Sequence, residues 1–308
     1  MKLSKKTRKF ARQYATASNC DIILCNSPID FSLERSIRQK IQKKKTGDNV
    51  LIVPTTLGGR AEIAYRIGRL LQRSYKKVTV CIAGWCKSAG TLLAVCGHDL
   101  VMSDNGELGP FDVQLLGKDD LWSRTSGLVE TSAFAPLEEI SWSLLQRFVR
   151  EIKNLPGGHI TFKTATEVAA PLVASTLSPI YAQIDPLKLG ETSRALKIAS
   201  TYADRLNYFS RNLKSDGAAK LVSGYPDHSF VIDREETEDL FVRVTKPCGM
   251  LNRILIDLWW MEHPAELFDG KSEVFMICRK PSQRSNTRNP NAKAKCSKKN
   301  KDSADDDG

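Results

Sequence analysis

The sequence predicts an α/β protein with a mostly parallel sheet and a helical second half. Short apolar runs alternate with amphipathic stretches between residues 20 and 115, and the connections between them are short. From residue 136 onward apolar side chains recur mainly at helical spacing. Strand–helix–strand units with short connections place their strands in parallel and cover the sheet with helices.

The first half supplies the sheet. Its predicted helix 60–74 carries Ile63, Ile67, Leu70 and Leu71 on one side, as a helix packed on a sheet requires. A coherent core of βαβ units therefore spans about residues 20–115. The predicted strands are 21–25, 49–54, 77–84 and 99–104, and the predicted helices are 31–45, 60–74 and 88–97.

The second half is mainly helical. Pro156-Gly157-Gly158 separates its first two helices, and Asp185-Pro186 opens the third. The predicted elements are helices 136–153, 163–182 and 187–213, a helix, turn and short strand within 218–233, a helix within 247–262 and a strand 273–278.

Composition predicts four segments. Residues 1–19 form a basic segment, 20–245 the main domain and 246–280 an extension with one helix and one strand. From Pro281 the chain is rich in Ser, Asn, Lys and Asp without periodicity, which predicts a disordered charged tail over 281–308.

The bulk composition is that of a soluble globular protein, with 41% hydrophobic and 26% charged residues. The net charge of +11 is scattered or gathered at the two ends, and no zinc finger or RNP-type motif accompanies it. Nucleic acid is therefore not favoured as a partner. No apolar stretch approaches the roughly 20 residues that a membrane span requires, so a cytoplasmic location without a transmembrane segment is predicted.

The sequence gives no reason to expect a metal or an organic cofactor. None of the eight cysteines forms a CxxC pair, and several lie inside apolar runs, which predicts buried free thiols in a reducing compartment. No GxGxxG occurs, and Lys87-Ser88 lacks the preceding glycine that a phosphate loop needs.

Two strand-to-helix junctions carry candidate chemistry. Gly58 and Gly59 follow strand 49–54; glycines there allow positive φ angles and leave amides accessible to a developing oxyanion. Ser88 follows strand 77–84 and begins a helix, whose positive end favours an alkoxide-like nucleophile. The alternatives are an ordinary βα turn and an ordinary serine N-cap.

The two junctions are expected to meet. Loops that follow adjacent parallel strands emerge at the same edge of a sheet, where binding sites gather. We therefore expect the amides of Gly59 and Ala89 to converge on one carbonyl oxygen, with Gly58 beside them, in an oxyanion hole.

Residues 54–72 (PTTLGGRAEIAYRIGRLLQ) and 82–115 (IAGWCKSAGTLLAVCGHDLVMSDNGELGPFDVQL) together resemble the serine dehydrogenase proteinase family of Clp-fold serine peptidases. Residues 184–196 and 224–236 resemble later segments of that family, so the resemblance covers about 20–245. The resemblance to signal peptide peptidase A and the crotonases is more distant. The resemblance implies a ClpP/crotonase-like fold, a serine peptidase acting on a peptide or protein substrate, and a homo-oligomer.

The resemblance also implies a catalytic triad. The nucleophile matches Ser88 in KSAGT, the aspartate matches Asp112 in LGPFDVQ, and the histidine matches His228 in YPDHSF. In such a triad the histidine takes the serine proton and the aspartate orients the histidine. The other histidines are His98, His159 and His263.

Three alternatives stay open. A lysine base is one, since related peptidases use a Ser–Lys dyad; Lys87 adjoins Ser88 but is expected to point away from it, and Lys118 and Lys153 have the pattern of solvated surface. An acyl-CoA enzyme of the crotonase type is the second, and a noncatalytic binding or scaffold protein of the same fold is the third.

Overall fold

The computed structural model describes residues 3–111, 114–116, 124–126, 134–155, 159–227, 229–258, 261–268 and 273–279. Its strands are β1 Cys20–Asn26, β2 Asn49–Thr55, β3 Lys77–Ile82, β4 Trp85–Cys86, β5 Asp99–Met102, β6 Glu107–Leu108, β7 Gln114–Leu116, β8 Arg124–Ser126, β9 Val244–Thr245 and β10 Glu273–Ile277. Its helices are α1 Lys5–Ala17, α2 Phe31–Lys44, α3 Ala61–Ser74, α4 Ala89–Val95, α5 Phe134–Lys153, α6 Phe162–Tyr181, α7 Pro186–Ser210, α8 Gly217–Ser223, α9 Arg234–Leu240 and α10 Gly249–Asp257.

Six strands form the main sheet, in the order β10-β1-β2-β3-β5-β9. Neighbouring strands from β1 to β9 run parallel, and β10 pairs antiparallel with the outer edge of β1. The helices α2, α3 and α4 connect successive parallel strands, which is the βαβ arrangement that the apolar alternation predicts. The predicted α/β class with a mostly parallel sheet is therefore confirmed.

Both faces of the sheet are covered. Successive strand residues point to opposite faces, so Ile23 and Ile52 join the cluster under α2, α3, α4 and α7, while Ile22 and Leu51 join the cluster under α1 and α10. This double burial is why the strands read as continuous apolar runs rather than as an alternation of apolar and polar residues.

The basic segment at residues 1–19 contains a helix, α1, that the sequence pattern does not predict. Ala11 and Ala15 of α1 are fully buried, and the helix packs on β1, β10 and α10. Its buried stripe consists mostly of small side chains among many cations, so no conventional apolar periodicity marks it. The predicted domain boundaries stay predictions.

The predicted strand 77–84 extends two residues beyond the observed carboxyl end of β3 at Ile82. The ladder with β2 and β5 stops by Ile82, and the chain then forms the two-residue β4, which pairs with β6 in a second small sheet. Strand 99–104 likewise ends at Met102. These early ends matter because the chain turns toward the candidate site there.

The three long helices of the second half are found within three residues of their predicted bounds. α5 and α6 pack on each other around Val149, Ala165 and Ala169. α7 ends at Ser210 rather than at 213 because Arg211 adopts a left-handed conformation with φ of 48°. α9 and β9 were not predicted. Within the described ranges, no helix combines the length and the apolarity that crossing a bilayer demands.

Candidate active site

Ser88 lies at a sharp turn between β4 and α4. Its φ of 50° and ψ of −115° place a non-glycine residue at positive φ, which is uncommon and costs about 1–3 kcal/mol. Its hydroxyl makes no capping hydrogen bond to α4, all of which is described. Ser88 therefore occupies the N-cap position without a side-chain cap, and its side chain lies against Gly58.

The Gly58-Gly59 turn adopts a conformation that glycine favours. The φ angles are 122° and 138°. The Ile29 amide donates to the Gly58 carbonyl at 2.8 Å, and the Arg60 amide donates to the Ile29 carbonyl at 2.9 Å. A Cβ atom on Gly59 would lie 2.5 Å from the Ile29 carbonyl oxygen, so a side chain there would collide with backbone.

The two turns are in contact. A Cβ atom on Gly58 would lie 2.9 Å from Ser88 Cβ and 3.3 Å from Ser88 Oγ. A short parallel bridge holds them together: the Thr56 amide donates to the Trp85 carbonyl at 2.9 Å, and the Lys87 amide donates to the Thr56 carbonyl at 3.0 Å. The structure thus brings Ser88 against the glycine turn, at the carboxyl ends of β2 and β3.

The amides around this contact have different partners. The Gly58 amide donates to Thr56 Oγ1 at 3.0 Å and is thereby engaged within the turn. No acceptor for the amides of Gly59 or Ala89 lies in the part of the chain that the structure describes. Both amides therefore keep their donor capacity with respect to the described residues.

Lys87 is directed into an ion pair beside the site. Its Nζ donates to Glu107 Oε2 at 2.8 Å and to the carbonyls of Leu108 at 3.3 Å and Phe230 at 3.4 Å. The two charged side chains are only 10% and 13% exposed. Lys87 therefore fastens two neighbouring segments to the Ser88 turn.

Thr91 anchors the segment that leads to residue 112. Its Oγ1 donates to the Gly109 carbonyl at 2.7 Å and accepts from the Gly109 amide at 3.1 Å. The Phe111 amide donates to the Leu221 carbonyl at 2.7 Å. The sequence pattern does not single out Thr91, although its position three residues after Ser88 places it on the same side of α4.

The segment around residue 230 is bound to β6, beside the Lys87–Glu107 ion pair. Leu108 and Ile232 exchange two backbone hydrogen bonds of 2.9 and 3.1 Å. The rings of Tyr225 and Phe230 lie 5.0 Å apart, centroid to centroid. Asp112 and His228 themselves lie outside the described residues, as does Lys118.

The other histidines occupy different surroundings. His98 lies at the amino end of β5, at the opposite end of the strands from Ser88. Its Nδ1 accepts from the Val78 amide at 3.1 Å, and burial lowers its pKa. His159 is exposed before α6. His263 is exposed, and its ring contacts that of Trp85 edge-on at 6.0 Å. Lys153 ends α5.

The cysteine closest in sequence to Ser88 is buried. Cys86 lies beneath Gly90, and burial raises the pKa of its thiol well above the usual range, so the thiol stays protonated. The seven cysteines that the structure describes are all free. Five of them are buried, as the sequence predicts, whereas Cys248 is exposed and Cys278 is partly exposed. Among the described residues no group of three or more metal-ligating side chains occurs.

A late segment of the chain borders the site, which the sequence did not indicate. The Trp85 amide donates to the Glu262 carbonyl at 3.0 Å, and Thr55 Oγ1 donates to the Met261 carbonyl at 2.5 Å. Asn26 Nδ2 donates to the His263 carbonyl at 2.9 Å. Residues 261–263 therefore lie across the carboxyl ends of β1 and β2 and alongside β4.

No protein-family model matches the chain, and no curated protein matches it. Among solved structures the chain is similar to a serine-to-alanine variant of the 1510-N membrane-bound stomatin-specific protease, with a TM-score of 0.29 and 18% identity over 46% of this chain and 64% of that one. It is also similar to a lysine-to-alanine variant of that protease in complex with a substrate peptide, with a TM-score of 0.30 and 19% identity over 39% and 58%. The match spans less than two thirds of either structure.

Proposed function

We propose that this chain is a serine peptidase whose nucleophile is Ser88. The observation that carries the proposal is the strained serine turn in contact with a glycine turn, with the amides of Gly59 and Ala89 left for an oxyanion. A serine held at positive φ between a strand and a helix is the geometry that exposes a nucleophilic hydroxyl. Backbone strain of this kind is stored at functional sites.

The reaction then follows from the geometry. Ser88 Oγ bonds to the carbonyl carbon of a peptide as its proton passes to a base. The negative charge on the carbonyl oxygen is stabilised by the amides of Gly59 and Ala89. The carbon–nitrogen bond breaks as the amine takes up the proton, and water hydrolyses the resulting ester on Ser88.

The base in this proposal is His228, oriented by Asp112. The family resemblance of KSAGT, LGPFDVQ and YPDHSF supports this assignment. The described neighbours of both residues also support it, because Thr91 of α4 holds the segment that leads to Phe111 and Lys87, next to Ser88, donates to the Phe230 carbonyl. Lys87 is engaged by Glu107, which disfavours Lys87 as the base. The proposal includes a peptide or protein substrate, self-assembly and a cytoplasmic location.

Labelling with a fluorophosphonate probe tests the proposal. Wild type is expected to be labelled, and Ser88→Ala, Asp112→Ala and His228→Ala are expected to lose labelling, since the probe reacts with an activated serine. Ser143→Ala on the exposed part of α5 is the matched control and should label like wild type.

Each other outcome has a defined meaning. Labelling that is lost in Ser88→Ala but kept in His228→Ala supports a lysine base. A correctly folded wild type that never labels, alone or with a peptide substrate, contradicts the peptidase and favours a noncatalytic or acyl-CoA role for the fold.

A further inference from the structure

A cleft of about 660 Å³ runs along the edge strand β10 and shares no lining residue with the candidate active site. α1 contacts β10 from one face of the sheet and α2 from the other, so the two helices form the walls of the cleft. Residues 274–279 form its floor. Among the described strands β10 pairs only with β1, so the cleft follows the edge of the sheet.

Both walls of this cleft are positively charged. Arg8 and Arg12 line the α1 wall, and Lys40 and Lys44 line the α2 wall. No carboxylate of the described residues lies within ion-pair distance of these four side chains. Four cations that face one cleft, with no ion-pair partner among the described residues, create a positive potential that attracts an anionic ligand.

The end of the cleft is held rigidly. Arg279 Nε donates to the Thr46 carbonyl at 2.7 Å, and an Arg279 Nη donates to Asn19 Oδ1 at 2.7 Å. The nearby carboxylate of Asp21 is fully buried and accepts hydrogen bonds from Thr46, Gly47 and Tyr75. Asp21 is therefore enclosed by its own partners rather than placed against the cations of the walls.

We propose that this cleft binds the acidic segment 302–307 of the same chain. An extended peptide along a strand edge sends alternate side chains to opposite sides, so two basic walls suit consecutive acidic residues. The segment carries Asp302, Asp305, Asp306 and Asp307. Its charge complements the cleft, and the proposal is independent of the peptidase assignment.

The chain between Arg279 and the acidic segment is long enough for the segment to reach the cleft. Arg279 lies at the end of the cleft, and the 22 residues 280–301 separate it from Asp302. A chain of that number of residues spans up to about 75 Å. Tethering raises the local concentration of such a segment to roughly the millimolar range, so individually weak charge pairs suffice for occupancy.

The experiment compares binding of a labelled synthetic peptide, residues 300–308 (NKDSADDDG), to full-length chains by fluorescence anisotropy. In the tail-neutral chain Asp302, Asp305, Asp306 and Asp307 are replaced by Asn. The cleft variant adds Arg12→Glu and Lys44→Glu to it, one change on each wall. The matched control adds Arg194→Glu and Lys197→Glu, which are exposed on α7.

The tail-neutral chain is expected to bind the peptide at least about tenfold more tightly than wild type, because the segment of wild type occupies its own cleft. The cleft variant should weaken binding by about tenfold or more, and the α7 control should change it less than about twofold. Raising the salt concentration to about 0.5 M should weaken binding to the tail-neutral chain. Urea denaturation establishes that every variant is folded.

Four results overturn the proposal. One is equal binding of the peptide by wild type and the tail-neutral chain, and another is equal binding by the cleft variant and the α7 control. The third is displacement of the peptide by a single-stranded RNA nonamer that binds more tightly, which would assign the cleft to nucleic acid. If wild type dimerises and the tail-neutral chain does not, the segment comes from a second copy and the intramolecular form is wrong.

Discussion

At the scale of single residues, the two glycines beside Ser88 have separable roles. Gly59 is packed against the backbone of Ile29, whereas Gly58 is packed against the side chain of Ser88. Both have positive φ angles that L-residues rarely adopt. A methyl group on Gly59 therefore disturbs the turn itself, whereas a methyl group on Gly58 intrudes on the side chain of Ser88, the proposed nucleophile.

We expect Gly59→Ala to destabilise the protein by about 2–3 kcal/mol or more, because its Cβ meets a carbonyl oxygen and its φ is strained. Gly58→Ala should lower probe labelling more than its loss of stability explains. Urea denaturation and labelling measure the two effects. Gly190→Ala is the control: nothing lies within 4 Å of its added methyl in α7, so a gain of about 0.5–1 kcal/mol is expected.

His98 gives the protein a pH-dependent component of stability. Burial lowers its pKa, an effect that Arg243 and Lys77 add to and Asp99 opposes. The unfolded chain binds this proton more readily, so the stabilising component is present above the unfolded pKa of about 6.5 and is lost as the pH falls below it.

The expected result is a decrease in the free energy of unfolding between about pH 7 and pH 5 that is smaller in His98→Asn, whose amide oxygen still accepts from Val78. Urea denaturation across this pH range measures it. The same pH slope in both proteins would show that His98 does not contribute.

At the scale of elements, the pair Lys87–Glu107 joins β6 to the Ser88 turn. Lys87→Met alone leaves a nearly buried carboxylate, and Glu107→Leu alone leaves a nearly buried ammonium, so each is expected to cost about 3–5 kcal/mol. The double substitution replaces the pair by apolar groups of similar volume and should recover most of that loss. A double-mutant cycle by urea denaturation measures the coupling, and additive losses would contradict it.

The long elements were predictable because their burial requires a recognisable pattern of apolar residues. β2 and α3 have continuous or helically spaced apolar residues, and the structure places them close to their predicted bounds. The short elements were not predictable from the sequence. Strands of two or three residues, such as β4 and β9, form through pairing with distant residues. Their sequences carry too few apolar positions to display any period.

The candidate site likewise has features that the sequence predicts and features that it does not. The contact of Ser88 with the glycine turn was predictable, since both follow adjacent parallel strands. The positive φ of Ser88, the Thr91 clamp on Gly109 and the passage of residues 261–263 beside Trp85 were not. Each of these depends on a tertiary contact between segments that the sequence alone does not place together.

At the scale of the whole molecule, α1 depends on its packing against the second half of the chain. Ala11 is fully buried where α1 meets β1 and α10. We expect Ala11→Asp to destabilise the protein by about 3 kcal/mol or more, because it buries an unpaired charge. Gln13→Asp on the exposed side of α1 is the control and should change stability by less than about 0.5 kcal/mol. Thermal or urea denaturation distinguishes them, and equal effects would mean that α1 is not packed as described.

The pairing of β10 with β1 also sets the order in which the protein is assembled during synthesis. β1 is made early, yet its outer partner consists of residues 273–277, and the Thr55–Met261 hydrogen bond spans 206 residues. At typical rates of about 5–20 residues per second, the ribosome needs roughly 12–50 s to make the intervening chain. During that interval the edge of β1 stays open to wrong pairing, and contacts of such high sequence separation form slowly. Because the Glu262 carbonyl accepts from the Trp85 amide beside Ser88, this contact of the Ser88 turn forms only after residue 262 has been translated.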